Sequence, residues 1–288
     1  YLTAKLAKVK VSYLGQISDY MRLLRLWNGL IAGLAVLLGA VVATGWSELE
    51  DILLDLLLGI LTVVMFMGAG NALNDYFDVG TDRIAHPERP LVKGTISGTA
   101  AKTTIIVLFT ACLLVAVFLN ILAFIVVALA MASMIIYELR LKRSGLSGNL
   151  MISVLVGALF MFGGAIADSP DRTLILASLA GLATLGREIV KDIEDVRGDT
   201  TRNTLPKLIG TKRAGIIASV SVIGAVLLSP APYLLGHLDL PYLLFVSCAD
   251  GLFIVGVFSQ FGNPARGQQI FKMAMVLALL AFVVGVPV

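Results

Sequence analysis

Two aspartate groups of identical spacing are the residues of this sequence best suited to chemistry. Both follow the pattern D-x2-D-x3-D, and their members are Asp75, Asp78 and Asp82 in the first group and Asp192, Asp195 and Asp199 in the second. At about 100° per helical residue, the carboxylates of each group fall within about 60° of arc. Each segment therefore predicts a stripe of carboxylates along one face of a helix.

Polar residues extend each stripe of carboxylates. Asn71 lies on the face of the first group and Glu188 on the face of the second. Asn74 and Lys191 directly precede the first aspartate of their groups. The repeated arrangement predicts two matched sites on two helices, in which Asn71, Asn74 and Lys191 join the aspartates as candidate site residues.

A glycine stands before the last aspartate of each group, at Gly80 and at Gly198. Because glycine is a poor helix former, we expect each helix to end at that point. Asp82 and Asp199 would then lie on the loops that follow, where they could bend over a ligand.

The six carboxylates of these groups would repel one another near a membrane, or take up protons, unless cations lay between them. Oxygen ligands without His or Cys select hard divalent ions, and Mg²⁺ is the usual choice where phosphate oxygens complete the shell. The pattern therefore predicts bound Mg²⁺, with Mn²⁺ as a substitute, and a di- or triphosphate ligand. The alternative is that the aspartates are solvated charges at helix ends, which two groups of identical spacing disfavour.

Basic residues expected near the same face would hold this anion. Lys191 is the strongest candidate because it lies among the aspartates. The others serve more often as membrane anchors, and they are Arg22, Arg25, Arg83, Arg89, Arg140, Lys142 and Arg143. Tyr137, shortly before the last three, fits an interfacial aromatic residue as well as a site residue.

The composition requires a membrane around these helices. Of the 288 residues, 58% are hydrophobic and 14% charged, and the mean hydropathy is +0.93, which leaves too few polar side chains to cover a water-soluble globule. Turn residues divide the apolar sequence into nine spans of about 20 residues. These spans are expected to start near Leu26, Ile52, Thr103, Ile121, Leu150, Leu174, Ala214, Tyr242 and Gln269.

Residue types that often carry other chemistry are sparse. Cys112 and Cys248 lie far apart within apolar stretches, and His86 and His237 form no pair spaced for zinc. Asp250 is an isolated acid in the eighth span, and we expect it to be a protonated or hydrogen-bonded core residue.

The basic residues predict the orientation of the spans. In membrane proteins, the short cytoplasmic loops carry an excess of Lys and Arg. With the N-terminus inside, all of the 22 Lys and Arg residues except Arg172 fall on the cytoplasmic side. The C-terminus is then outside, and the aspartate groups lie at the cytoplasmic face of the cell membrane. Residues 1–20, which lack the pattern of a cleaved signal peptide, are expected to form an interfacial arm.

The two aspartate groups also predict an internal repeat. They recur four spans apart in the same orientation, which indicates two parallel four-helix units at roughly 21–143 and 144–262. With the ninth helix added, residues 1–288 are expected to form one membrane-embedded, all-α domain of nine transmembrane helices.

Three segments resemble the UbiA superfamily of intramembrane prenyltransferases. They are N-D-x-x-D-x-x-x-D at 74–82 with Arg89 and Pro90 after it, Y-x-x-x-L-K-R at 137–143, and K-D-x-x-D-x-x-G-D at 191–199. The resemblance implies a ring of helices around a central cavity that opens sideways to lipid. It also implies that the aspartate motifs bind a prenyl diphosphate through Mg²⁺, with Asn74 and the six aspartates as metal ligands. Lys191, Arg89 and Lys142 would then contact the phosphates.

The segment around Arg187 is most similar to the archaeal branch that joins a geranylgeranyl chain to geranylgeranylglyceryl phosphate in ether-lipid synthesis. Many relatives that prenylate aromatic rings have a tyrosine four residues before the motif lysine, where this chain has Arg187. A cationic side chain there suits an acceptor that carries a phosphate. The implied partners are geranylgeranyl diphosphate, a lipid-like acceptor and membrane lipid, with no nucleic acid.

Two alternatives compete with this function. Another member of the superfamily would prenylate a precursor of a quinone, a tocopherol-like compound, a haem or a chlorophyll. A transporter would use the carboxylates as a cation site, although transport sites usually lie near the midplane and these acids are expected at one membrane face.

Overall fold

The computed structural model describes residues 15–196 and 203–287, and this part of the chain is helical with short connections. Nine of the helical segments within it are long and apolar enough to cross a membrane. They cover Leu26–Thr44, Leu49–Ala85, Gly98–Leu119, Ile121–Leu141, Leu146–Ile166, Pro170–Asp195, Thr211–Leu234, Leu240–Gly262 and Pro264–Gly285. The predicted all-α, multi-pass membrane fold with nine spans is confirmed, and each span begins within two turns of its predicted start.

The helices are numbered along the chain. Helix α1 covers residues 15–24. It is followed by α2 (Leu26–Thr44), α3 (Leu53–Ala85), α4 (Pro90–Lys93), α5 (Gly98–Leu119), α6 (Ile121–Ile136), a π-helical turn (Tyr137–Leu141), α7 (Leu146–Ile166), α8 (Pro170–Asp195), α9 (Leu205–Ile209), α10 (Thr211–Leu228), α11 (Ala231–Leu234), α12 (Leu240–Gly262) and α13 (Pro264–Gly285).

The chain divides into two compact units. Of the described residues, unit 1 contains those up to Leu34 together with Leu57–Leu119, and unit 2 contains Ala35–Leu56 and the residues from Asn120 onward. Helices α2 and α3 therefore contribute to both units. The sequence repeat at 21–143 and 144–262 stays a prediction.

Unit 1 brings α2 and α3 together through small residues. A side chain at Gly29 would meet the Val64 Cα at 3.1 Å, and one at Gly33 would meet the Ile60 Cγ2 at 3.0 Å. In lipid, helices associate through such close backbone contacts because apolar surface gains nothing by leaving the lipid tails. The N-terminal half of α2 is thereby packed along the part of α3 that leads to the first aspartate group.

Helix α3 runs without a break through the first aspartate group, so the expectation that Gly80 ends it is wrong. The backbone N–H of His86 donates to the Asp82 carbonyl at 2.8 Å, which carries the helical hydrogen bonding past the last aspartate. A single interior glycine costs only about 1 kcal/mol relative to alanine, less than is needed to stop a long helix. Asp82 consequently stays on the face of α3 that holds Asp75.

Unit 2 contains the one basic residue expected on the outer side. Arg172 lies in the first turn of α8, and its Nη1 donates to the Ala43 carbonyl at the end of α2, 2.9 Å away. The last carbonyls of a helix lack partners within the helix and carry partial negative charge. Arg172 caps that helix end, which is a structural reason for this exception to the charge pattern.

Asp250 is hydrogen-bonded, as predicted. The Ser229 Oγ lies 2.6 Å from the Asp250 Oδ2, and the Tyr242 hydroxyl donates to the Ser229 carbonyl at 2.6 Å. These contacts join α12 to the residues directly after α10. Of the two cysteines, Cys112 is buried in unit 1 and Cys248 is exposed, so only Cys112 is the core residue expected.

Candidate active site

The first aspartate group is braced by two arginines of unit 1. Asp75 is only 2% exposed, and its Oδ1 accepts hydrogen bonds from Arg25 Nη2 at 2.5 Å and from Arg89 Nη1 at 3.0 Å. The same Arg89 nitrogen also pairs with the buried Asp82. One guanidinium group thus spans two carboxylates that lie two turns apart on α3. Ion pairs of this kind fix carboxylate orientation because the donor geometry of arginine is rigid.

The junction between α1 and α2 places Arg25 against Asp75. Arg25 adopts the left-handed backbone conformation, with φ of 47°, which costs a non-glycine residue about 1–3 kcal/mol. Two side chains of α3 offset this strain. The Asp75 carboxylate pairs with the arginine, and the Asn71 amide donates to the Leu24 carbonyl at 3.0 Å.

A proline directs Arg89 back over α3. Arg89 precedes Pro90, the first residue of α4, and has an extended backbone with φ of −64° and ψ of 141°. Proline disfavours the helical conformation in the residue before it, so the chain turns after α3 rather than continuing it. The Arg89–Pro90 pair noted in the sequence therefore places the Arg89 guanidinium group against the aspartates of α3.

The remaining candidates of unit 1 differ in exposure. Asn74 and Asp78 are partly buried on α3, beside the braced carboxylates, whereas Arg22 and Arg83 are exposed. Arg25, which the sequence named only as one basic residue among several, is the cation that contacts Asp75 from the N-terminal side. Arg22 and Arg25 could not be separated by sequence, because the choice depends on the break between α1 and α2.

In the second aspartate group, an amide contacts the buried carboxylate. Asp192 is 7% exposed, and its Oδ2 accepts a hydrogen bond from the Asn149 Nδ2 at 2.9 Å. Asn149 lies in the first turn of α7, and sequence reasoning missed it. The sequence feature that could have identified Asn149 is its position next to Gly148, near the start of an apolar span.

The cations of the second group contact a glutamate. Arg187 pairs with Glu188, and the Lys191 Nζ lies 3.7 Å from the Glu188 Oε2. All three belong to the part of α8 that leads into Asp192 and Asp195. Asp195 is partly buried at the last residue of α8. Asp199 and Gly198 lie outside the described residues.

A π-helical turn precedes α7 and carries the third predicted motif. The Lys142 backbone N–H donates to the Tyr137 carbonyl at 2.9 Å, five residues back. The Lys142 Nζ donates to the Glu138 Oε2, also at 2.9 Å. Tyr137 is partly buried in this turn, while Arg140 and Arg143 are exposed.

The donor chemistry of each aspartate group fits Mg²⁺. Within residues 15–196 and 203–287, no three His, Cys, Asp or Glu side chains gather closely enough to hold a metal ion by themselves. The donors on the two aspartate helices are carboxylate and amide oxygens. Mg²⁺ commonly takes one or two carboxylates from a protein and completes its shell with phosphate oxygens and water.

Comparison with known proteins gives a family and close relatives. The model of the UbiA prenyltransferase family matches residues 27–284. The chain is 38% identical over 285 residues to the digeranylgeranylglyceryl phosphate synthase of Methanosarcina mazei, with 94% of this chain and 99% of that protein covered. It is 38% identical over 280 residues to the enzyme of the same name from Methanococcoides burtonii, with 93% and 100% covered.

Solved structures with the same fold include proteins of both near and distant sequence. One, from work on digeranylgeranylglyceryl phosphate synthase in membranes, matches with a TM-score of 0.86 and 32% identity, covering 94% of this chain and 98% of that one. A UbiA homologue from Archaeoglobus fulgidus, bound to GPP and Mg²⁺, matches with a TM-score of 0.67 and 19% identity, covering 93% and 98%. The similarity to the Archaeoglobus fulgidus protein shows that the two chains share a fold.

Proposed function

The chain belongs to the UbiA prenyltransferase family, and on that basis we propose that it transfers a geranylgeranyl group from geranylgeranyl diphosphate to geranylgeranylglyceryl phosphate. Membership of the family confirms the resemblance expected from the sequence and identifies a membrane prenyltransferase rather than a transporter. The observation that carries the choice of acceptor is the near full-length similarity to enzymes named for this reaction. The braced carboxylates of α3 and α8 supply the chemistry.

The proposed metal ligands are Asn74, Asp75, Asp78, Asp82, Asp192, Asp195 and Asp199, of which Asp199 lies outside the described residues. Bound Mg²⁺ would stabilise the negative charge that develops on the leaving diphosphate. Arg89 and Arg25 keep the carboxylates of α3 in one orientation, and Asn149 does the same for Asp192. The protein therefore presents ordered oxygen donors, and little reorganisation is needed when the donor substrate binds.

The reaction we propose is a dissociative substitution at the allylic C1 of the prenyl chain. The bond between C1 and the diphosphate oxygen breaks, and its electron pair leaves with the diphosphate. The acceptor hydroxyl oxygen then forms a bond to C1, and its proton passes to the released diphosphate or to water. Lys142 and Lys191 are the proposed contacts to the phosphate oxygens, because ammonium groups bind phosphate through charge-assisted hydrogen bonds.

We also propose that the site lies at the cytoplasmic face of the cell membrane, with the N-terminus inside and the C-terminus outside. The support is the placement of the basic residues at the ends of the spans that carry the aspartate groups. Cysteines introduced at Glu50, shortly before α3, and at Glu88, shortly after it, provide the test, because both positions are exposed. In a Cys248→Ser background, an impermeant maleimide should label position 88 only in inside-out vesicles and position 50 only in right-side-out vesicles.

The activity is tested with purified protein in detergent, geranylgeranyl diphosphate, Mg²⁺ and a panel of acceptors. We expect a product with the mass of digeranylgeranylglyceryl phosphate, together with release of diphosphate. A variant with Asp78→Ala, assayed in parallel, excludes turnover by a contaminant. Products formed only from hydroxybenzoate or other ring acceptors would reject the proposed acceptor and favour the aromatic branch of the family.

A further inference from the structure

The π-helical turn at Tyr137–Leu141 changes which side chains lie over one another. In an α-helix, residues five positions apart diverge by about 140° around the axis. The hydrogen bond from the Lys142 N–H to the Tyr137 carbonyl closes a wider turn, so residues five apart diverge less around the axis than in an α-helix. Single π-helical turns occur frequently at functional sites. Here the turn brings Tyr137 and Lys142 towards the same side at the end of a membrane span.

A fully buried carboxylate lies beneath Lys142. The Glu138 side chain is 0% exposed, and that of Lys142 is 16% exposed. Their ion pair, with 2.9 Å between Nζ and Oε2, spans one turn. A carboxylate is expensive to bury, since its charge loses the solvation of water unless paired groups replace it. We therefore expect the buried charge of Glu138 to have a function.

We propose that Glu138 is a positioning residue that holds the Lys142 ammonium where it contacts the diphosphate of the prenyl donor. This inference rests on the proposed function, in which Lys142 is a diphosphate contact. The Lys142 ammonium is partly exposed, and it donates to Glu138 across 2.9 Å. This bond restricts the position of the Lys142 Nζ, because Glu138 is enclosed by protein.

Fixing the ammonium has a physical advantage for binding an anion. A free lysine side chain loses rotamer freedom when it grips a ligand, and a lysine already held by a buried carboxylate has lost much of it beforehand. Glu138 also compensates the positive charge of Lys142 when no diphosphate is bound. The expected signature of this role is weaker diphosphate binding when Glu138 is changed, with the acceptor unaffected.

The experiment measures binding of inorganic diphosphate with Mg²⁺ by calorimetry, and the KM of both substrates, in Glu138→Gln, Lys142→Gln and the double variant. Glu138→Gln should raise the Kd of diphosphate and the KM of geranylgeranyl diphosphate by about tenfold, as for one charge-assisted hydrogen bond. The KM of the acceptor should change by less than about twofold. The double variant should bind no more weakly than Lys142→Gln alone, because the two residues act as one unit.

A matched control and a milder variant keep the result interpretable. Glu50→Gln removes an exposed carboxylate shortly before α3, far along the sequence from the π-helical turn, and should leave the Kd unchanged. If Glu138→Gln fails to fold, Glu138→Asp keeps the charge but shortens the side chain, and it should still weaken diphosphate binding measurably.

Three results would overturn the inference. They are an unchanged Kd in Glu138→Gln or Glu138→Asp despite a lower melting temperature, an unchanged Kd in Lys142→Gln, and additive losses in the double variant. Failure of the proposed acceptor in the turnover assay is distinguishable, because binding of inorganic diphosphate is measured without any acceptor.

Discussion

Asp75 and Asp192 occupy equivalent places in the two aspartate groups, yet the protein holds them by different means. Asp75 accepts from the guanidinium groups of Arg25 and Arg89, so two positive charges lie against it. Asp192 accepts from the neutral amide of Asn149. The two carboxylates are similarly buried. Within residues 15–196 and 203–287, two guanidinium groups contact the first carboxylate and an uncharged amide contacts the second.

The two aspartate groups share a sequence motif, but we expect them to contribute differently to stability and to catalysis. In unit 1 the arginines tie the carboxylates of α3 to the α1–α2 junction and to the start of α4, so the first group also stabilises local structure. In unit 2 the nearby cations Arg187 and Lys191 contact Glu188. Substitutions in the first group should consequently affect both folding and catalysis, and substitutions in the second should affect mainly catalysis.

The largest expected effect comes from removing the metal that we propose both groups bind. Excess EDTA should abolish prenyl transfer, and Mg²⁺ or Mn²⁺ should restore it, because oxygen-only ligands bind both ions. The measurement is product formation by mass spectrometry before and after dialysis against each ion. Full turnover in chelator would contradict the role proposed for both groups.

Loss of one partly buried carboxylate from either group should lower kcat by about a hundredfold or more, the scale of lost transition-state electrostatics. Asp78→Ala and Asp195→Ala are the matched pair, one for each group. Steady-state kinetics on folded, membrane-inserted variants provides the comparison. Near wild-type turnover in one of them would show that its group does not take part, and would identify that aspartate as a solvated helix-end charge.

The two braced aspartates should differ in stability when each is changed to asparagine. Asp75→Asn removes the carboxylate that pairs with Arg25 and one of the two carboxylates that pair with Arg89, and we expect the melting temperature in detergent to fall by about 5 °C. Asp192→Asn retains an oxygen that can accept from Asn149, so its melting temperature should change little. Thermal unfolding followed by circular dichroism distinguishes them. Equal shifts would show that charge does not separate the two groups.

The smallest expected effect is at Arg187, the cation next to the second group. Arg187→Ala should raise the KM of geranylgeranylglyceryl phosphate more than that of the prenyl diphosphate, by about tenfold at most, because one charge-assisted hydrogen bond is lost. The increase in KM is limited because the Arg187 guanidinium group also pairs with Glu188. The KM of both substrates is measured in one variant. A rise confined to the diphosphate would place Arg187 with the donor instead.

Several features of the protein were determined by the sequence alone. Hydropathy and turn residues predicted the nine spans, since each apolar stretch has to cross the same thickness of lipid. The spacing of the aspartates predicted a stripe on one helix face, and helical periodicity is a local property of the chain. The motifs at 74–82, 137–143 and 191–199 identified the family.

Other features were decided only by the tertiary structure. Gly80 does not interrupt α3, because the weak local preference of a glycine is outweighed by the helix on both sides and by the Arg89 bridge. Arg25 rather than Arg22 contacts Asp75, through a left-handed residue that no propensity favours. The partners Asn149 and Glu138 likewise depend on how helices pack and on a π-helical turn. Contacts between distant segments follow from packing geometry, which spacing along one sequence does not contain.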